Sequence, residues 1–353
     1  MKLPQKSLQY YWRTIISKGI AFVSFQLRNT SFLKRREENR VKKYKEIFDE
    51  QYKNGIVDSS NSAGSLYYTY SYFLKAQDLK RFFTFDDSGI AMCRIDTFPK
   101  EHNPLIACYF GLVCYNEFME NNEKNSLQNF WQHLYHIQSI STISKECLFT
   151  YYQKDNIRHQ IKAPWYSGLT QALVTSLFIR GYLLSKEEDY KKKAKKSLNA
   201  LFLPVQQGGV FTTREEGLNW IEERPTKHLD GTLNGYIFSL IAVYEYYLFI
   251  EKTAELEEHI QSLSKTLFYV FGKYIFGKYT RYDIHQYTFH NIEYQGLYAY
   301  FWLHLYHLSG KSAFLDLAKQ FHQNTDWKDF YYFFGLKYNG QEIFKNRLKK
   351  IQK

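Results

Sequence analysis

The sequence predicts a mainly α fold, an α/α toroid: an incomplete barrel of helix pairs with small β-hairpin and sheet insertions. Three observations predict it. Long segments with apolar residues at three-to-four spacing follow one another in pairs between Pro104 and Gln323. Glycine-bearing, strand-like stretches separate the pairs, as at Gln206-Gln207-Gly208-Gly209-Val210-Phe211 and from Phe276 to Gln286. A faint internal repeat supports the pairing. Leu183-Leu184-Ser185 leads to Tyr190 and Ala194, as Leu305 to Ser309 leads to Phe314 and Ala318. Each places an aromatic and a small residue four apart, where a neighbouring helix can approach.

Taken in order, residues 1–57 read as a basic helical N-terminal region, with a second helix over 31–53 dense in Arg, Lys and Glu. The apolar stretch Thr14 to Leu27 is interrupted by Lys18 and is too short to span a bilayer, so it predicts an amphipathic helix at most. Residues 58–163 form a β-containing segment and the first helix pair. Asp58 to Ser65 is a loop by composition, Asp86-Asp87-Ser88-Gly89 is a turn, and Leu148 to Ile161 reads as strand. The pair itself is Pro104–Asn121 with Ser126–Ile140. Residues 164–353 carry the remaining pairs: Ser167–Ser185 with Asp189–Phe202, Thr232–Ile250 with Ala254–Phe271, and Ile292–Leu308 with Ala313–Gln323.

Composition narrows the class. A hydrophobic content of 44% over 353 residues excludes a disordered chain, which could not bury enough apolar surface to offset its ordering entropy. With 32 Tyr, 29 Phe and 6 Trp, the aromatics exceed what core filling needs and suggest platforms for rings of a ligand. The net charge of +12 favours polyanionic partners. No nucleic-acid module accompanies it, which leaves anionic lipid, acidic polysaccharide or simply a solvated basic face as readings of the charge. Cys93, Cys108, Cys114 and Cys147 include no Cys-x-x-Cys pair, which predicts a reducing, cytoplasmic setting, with peripheral contact to the inner face of a membrane as a further expectation.

Three stretches carry the chemistry. Pro164-Trp165-Tyr166-Ser167-Gly168 with Gln171 opens a helix, with Ser167 as its N-cap and Trp165 and Tyr166 at its mouth. Trp220-Ile221-Glu222-Glu223-Arg224-Pro225 ends a strand in two carboxylates and an Arg, ahead of Leu233-Asn234-Gly235, which starts the next helix. Arg281-Tyr282-Asp283-Ile284-His285-Gln286-Tyr287-Thr288-Phe289-His290 gathers two Tyr, two His, an Asp and an Arg. His285 and His290 match no zinc spacing, and no metal is expected. Neither a phosphate loop nor a nucleophile elbow is present.

In this order these stretches resemble the C-terminal catalytic domain of the D-glucuronyl C5-epimerases, from about Asp86 to Phe321, with Asp87-x-Gly89-Ile90 and Asn103-Pro104 as weaker support. The resemblance implies inversion at C5 of uronic acid residues in an acidic polysaccharide. It implies Glu223, Tyr282 and Tyr287 as catalytic residues, with Arg224 where the family has Tyr and His285 where it has Arg. Trp165, Tyr166, Gln171, Trp220, Arg224, Asn234, Arg281, His285 and His290 are then the substrate-binding set. Arg224 or Arg281 is expected to neutralise the substrate carboxylate, and a nearby cation to lower the pKa of the catalytic tyrosine. No cofactor is implied, because the C5 proton is exchanged directly. Homodimerisation or association with a biosynthetic complex is a family-level expectation. A polysaccharide lyase or hydrolase of the toroid class, and a non-catalytic acidic-polysaccharide-binding protein, are the alternatives.

Overall fold

Residues 31–51, 79, 83–93, 102–214, 217–226, 230–276, 279–284 and 292–327 are described by the computed structural model. The amphipathic helix expected over 14–27 and the loop at 58–65 lie outside them, as do His285, Tyr287 and His290.

The chain opens with α1 (Ser31–Gln51) and a hairpin, β1 (Phe83–Phe85) with β2 (Ala91–Cys93). Four helix pairs follow: α2 (Pro104–Asn121) with α3 (Lys124–Ile140), α4 (Gly168–Ser185) with α5 (Glu188–Leu201), α6 (Leu233–Phe249) with α7 (Ala254–Tyr274), and α8 (Ile292–Ser309) with α9 (Ser312–Asn324). The first helix of each pair is inner. α2, α4, α6 and α8 pack side by side in series, each with its own second helix outside it. The described packing thus carries the array back across residue 164 to α2.

Sequence pattern explains the two layers. In α4 every residue from Gly168 to Gly181 is buried, and in α6 every residue from Leu233 to Tyr246. A helix that is apolar all round must be surrounded. The outer helices bury a single stripe instead: Phe130, His133, Leu134 and Ile137 on α3, and Phe314, Leu317, Ala318 and Phe321 on α9. Tyr190 and Ala194 of the internal repeat sit on such a stripe of α5.

The two ends of the array differ. At one end each pair is joined by a tight turn, residues 122–123, 186–187, 250–253 and 310–311. At the other, long connections precede α4, α6 and α8, and each carries an antiparallel hairpin: β3 (Ser141–Ser144) with β4 (Cys147–Thr150), β5 (Phe211–Arg214) with β6 (Leu218–Ile221), and β7 (Ile275–Phe276) with β8 (Tyr279–Thr280). The strand expected over Leu148 to Ile161 stops at Thr150, because a one-turn helix at Ile157–His159 and the left-handed Gln160 break it. Connections of this length on one face of a rigid scaffold are where binding residues collect.

α1 belongs to the outer layer. It lies along α7 and reaches α9. Tyr44 meets Phe271 edge-on with ring centroids 4.9 Å apart, and Phe48 packs near Phe268.

Candidate active site

The β5–β6 hairpin delivers the acidic pair. Phe211 pairs with Ile221 and Arg214 with Leu218, and beyond β6 the chain passes Glu222 into a bend at Glu223 and Arg224. The two carboxylates part at this bend. Glu222 accepts from Arg214 Nη2 at 2.6 Å and from the Gly231 N–H at 2.9 Å, inside the protein. Glu223 faces the mouth, where the Tyr282 hydroxyl donates to its two oxygens at 3.2 and 3.4 Å and Arg224 Nη1 pairs with Oε1.

Two glycines of the quoted motifs make this possible. Gly168, at the start of α4, donates its N–H to Glu223 O at 3.0 Å, and a Cβ there would lie 2.3 Å from Glu222 O. A Cβ on Gly235 of α6 would lie 2.7 Å from the Glu223 Cβ. Both inner helices press against the acidic strand only because these positions lack side chains.

Arg224 organises the cluster. Nη1 and Nη2 donate to the Tyr282 hydroxyl at 3.2 and 3.3 Å, Nη2 to Thr232 Oγ1 at 3.1 Å, and Nε to Asp230 Oδ2 at 3.4 Å. His159 Nδ1 stands 3.5 Å from the same Asp230 oxygen. With the Glu223 contact these bonds occupy the five N–H donors of the guanidinium. Arg224 is therefore directed at protein acceptors, not at a substrate carboxylate as expected. Thr232 is the N-cap residue of α6, yet its side chain makes no capping bond because its hydroxyl serves Arg224.

The electrostatics reverse one expectation. Burial pushes the Tyr282 phenol above its ordinary pKa, Glu223 pushes it further, and Arg224 only partly offsets them. Tyr282 rests as a neutral phenol and a proton donor. Burial also raises the Glu223 carboxyl, with Arg224 opposing. Burial disfavours the charge of Arg224, but Glu223 and Tyr282 outweigh it and hold the guanidinium charged.

Of the remaining expected residues, Trp165 stays half-buried at the rim. Its ring stacks on Tyr152 with centroids 4.3 Å apart and 10° between planes, and its Nε1 donates to Lys154 O. Asn234 lies in the first turn of α6, 7% exposed, its Oδ1 buried with no hydrogen-bond partner among the described residues. Ser167 caps α4 as expected, accepting from Thr170 N.

Four expected binding residues are placed elsewhere. Tyr166 is buried against Phe149 and donates to Ala200 O at 3.1 Å, because strand alternation turns it inward from Trp165. Gln171 is sealed and cross-links three elements, donating from Nε2 to Leu148 O and Ser197 Oγ, both at 2.7 Å, while Oε1 accepts from Thr150 N. Trp220 is fully buried, stacked on Tyr236 at 3.8 Å with the Arg214 guanidinium over its ring. Arg281 turns away from Tyr282 to Glu37 of α1.

Tyr152, His159, Asp230 and Thr232 complete the site and were missed. Asp230-Gly231-Thr232, directly before a helix and six residues beyond Arg224, was the available signal for two of them. Tyr152 and His159 sit in irregular backbone that carries no period.

The D-glucuronyl C5-epimerase C-terminus family model matches residues 115–323, more than half of the chain. The chain belongs to that family. The three motif stretches, from Pro164, Trp220 and Arg281 onward, fall inside the match, whereas Asp87, Gly89, Ile90, Asn103 and Pro104 lie ahead of it. The D-glucuronyl C5-epimerase of Caenorhabditis elegans is 35% identical over 83 residues, which is 23% of this chain and 13% of that protein, so the match spans about an eighth of the relative. Among solved structures, a sugar epimerase from a ruminal bacterium aligns with TM-score 0.50 and 11% identity over 70% of this chain and 66% of that one. The Lin0763 protein from Listeria innocua aligns with TM-score 0.50 and 12% identity over 84% of each. At such identities these structures speak for the α/α toroid fold alone. Among the described residues, no three His, Cys, Asp or Glu side chains are grouped to hold a metal ion, and no helix is long and apolar enough to cross a membrane.

Proposed function

We propose that this protein epimerises C5 of uronic acid residues within an acidic polysaccharide. The observation that carries the reading is the half-buried Tyr282 phenol, hydrogen-bonded to the Glu223 carboxylate and to Arg224 at the open end of the toroid.

C5–H is a poor acid because the electrons it leaves must spread into the adjacent carboxylate. One group must take the proton on one face, and another must return one on the opposite face. Tyr282 and Glu223 form the first. As the phenol oxygen takes the C5 proton, its own proton passes to Glu223, whose raised pKa makes it a ready acceptor. The Arg224 cation beside the phenol oxygen stabilises the charge that shifts there. The family resemblance supplies Tyr287 as the second group, delivering a proton to the opposite face while C5 inverts. Since Arg224 is committed and Arg281 points outward, the substrate carboxylate is received at the N-terminal end of α6, beside Asn234, where the helix dipole favours an anion. Trp165 on Tyr152 offers an aromatic face for a sugar ring.

Incubation with uronic acid polymers in deuterated water tests the reading. Deuterium at C5 with chain length preserved is the expected result. A shortened, unsaturated product would instead identify a lyase, and binding without exchange a non-catalytic receptor.

A further inference from the structure

The basic N-terminal region has no role in the chemistry above, yet α1 is fastened to the segment that carries Tyr282. Three contacts fasten it. Gly272 of α7 lets the two backbones meet, since a Cβ there would lie 2.5 Å from Val41 N. The Tyr269 hydroxyl donates to Asp49 Oδ1 at 3.1 Å near the far end of α1. At the mouth end, Arg281 Nη2 donates to Glu37 Oε2 at 3.4 Å, with Arg281 only 6% exposed.

We propose that Glu37 is a positioning residue for Tyr282, acting through Arg281. The proposal rests on the epimerase reading of the site. Arg281 and Tyr282 are neighbours where the chain bends just after β8, and their side chains go to different partners. The Arg281 side chain goes out to α1, and the Tyr282 side chain goes in to Glu223. The backbone between them is held at two points, Arg281 N–H to Tyr274 O at 2.8 Å and Leu233 N–H to Tyr282 O at 3.0 Å. The ion pair with Glu37 adds a third hold on this short segment, through the Arg281 side chain and from the side away from Glu223.

The test uses the full chain with Glu37→Gln, the charge reversal Glu37→Arg, and the exchange of both partners, Glu37→Arg with Arg281→Glu. Tyr269→Phe is the control that loosens α1 without touching residue 281. Two quantities are read: the rate of C5 deuterium incorporation, split into kcat and KM, and the Tyr282 13Cζ resonance, assigned by its loss in Tyr282→Phe. We expect Glu37→Gln to lower kcat about 10-fold with KM within about twofold, the order that misplacing a reacting group produces. The resonance should move, Glu37→Arg should do worse, and the double exchange should recover most of the loss. Tyr269→Phe should leave kcat and the resonance in place. Unchanged kcat and resonance in Glu37→Gln would overturn the proposal, as would an equal effect of Tyr269→Phe or no recovery in the double exchange. If the wild type incorporates no deuterium, the epimerase reading fails, and the resonance alone decides whether Glu37 sets the position of Tyr282.

Discussion

Arg180, Glu245 and His304 lie on α4, α6 and α8 towards the ends joined by tight turns; Arg224, Glu223 and Tyr282 lie in the connections at the other end. Both groups pair an arginine with a carboxylate. In the core, Arg180 grips Glu245 with two bonds of 2.7 and 2.9 Å, His304 Nε2 stands 3.5 Å from Oε1, and the three side chains are sealed from solvent. Burial alone would raise the Glu245 carboxyl, but Arg180 outweighs it and holds the pKa at about 2, well below the ordinary 4.5. At the mouth, Arg224 divides its donors among four side chains, and Glu223 is held above its ordinary pKa. A phenol is shared between arginine and carboxylate and is only half-buried. The same two residue types thus serve two ends: the sealed pair locks three inner helices together, while the mouth pair holds a phenol proton between a guanidinium and a carboxylate of raised pKa, the arrangement the proposed chemistry needs.

The largest loss of activity is expected for Tyr282→Phe, which removes the movable proton together with the acceptor of two Arg224 donors. C5 deuterium incorporation should fall about 10²- to 10⁴-fold, the usual contribution of a positioned acid or base. Melting should stay close to wild type, because the aromatic volume is kept. Retention of more than a tenth of the rate would shift the chemistry to another group.

The core pair should respond in the opposite sense. Glu245→Gln keeps the shape but leaves the Arg180 charge buried without its counter-charge, costing about 3–5 kcal/mol of unfolding free energy in a denaturant titration. Turnover per folded molecule should be unchanged. The folded pKa of Glu245 lies below the unfolded value, so its contribution is fully present above about 4.5 and is lost as pH falls towards 2. Wild type should therefore lose stability through that window more steeply than Glu245→Gln. Equal slopes would mean that Glu245 is not the group titrating.

Much of this was legible beforehand, and the divide has a physical cause. Helix spacing is a local, periodic signal, so Pro104–Asn121 was bounded to the residue and α4 to within one. That Glu223 and Tyr282 meet is consistent with their motifs, each of which sets a cation beside the acid or the phenol. Tyr166, Gln171 and Trp220 were misplaced because a motif fixes sequence position but not which side of the chain a residue faces. A shift of one residue exchanges core for mouth, as Glu222 and Glu223 show on either side of a bend. Arg281 was misplaced because its partner, Glu37, stands 244 residues away, where no local pattern reaches.

The smallest expected effect separates two roles for Arg224. Arg224→Lys keeps a positive charge near Glu223 and Tyr282 but loses the planar fork that also reaches Thr232 and Asp230. If Arg224 positions Glu223 and Tyr282, kcat should fall roughly 10-fold, as for a reacting pair displaced by a fraction of an ångström, while KM changes little. A guanidinium that instead received the substrate carboxylate would show its loss mainly in KM. The geometry favours the first outcome, because a donor set already spent on a carboxylate, a phenol, a hydroxyl and a second carboxylate has none left for a ligand unless one of those bonds breaks. A KM rise of about 10-fold at constant kcat would show that one of them does break on binding, and would return Arg224 from the scaffold of the site to its substrate contacts.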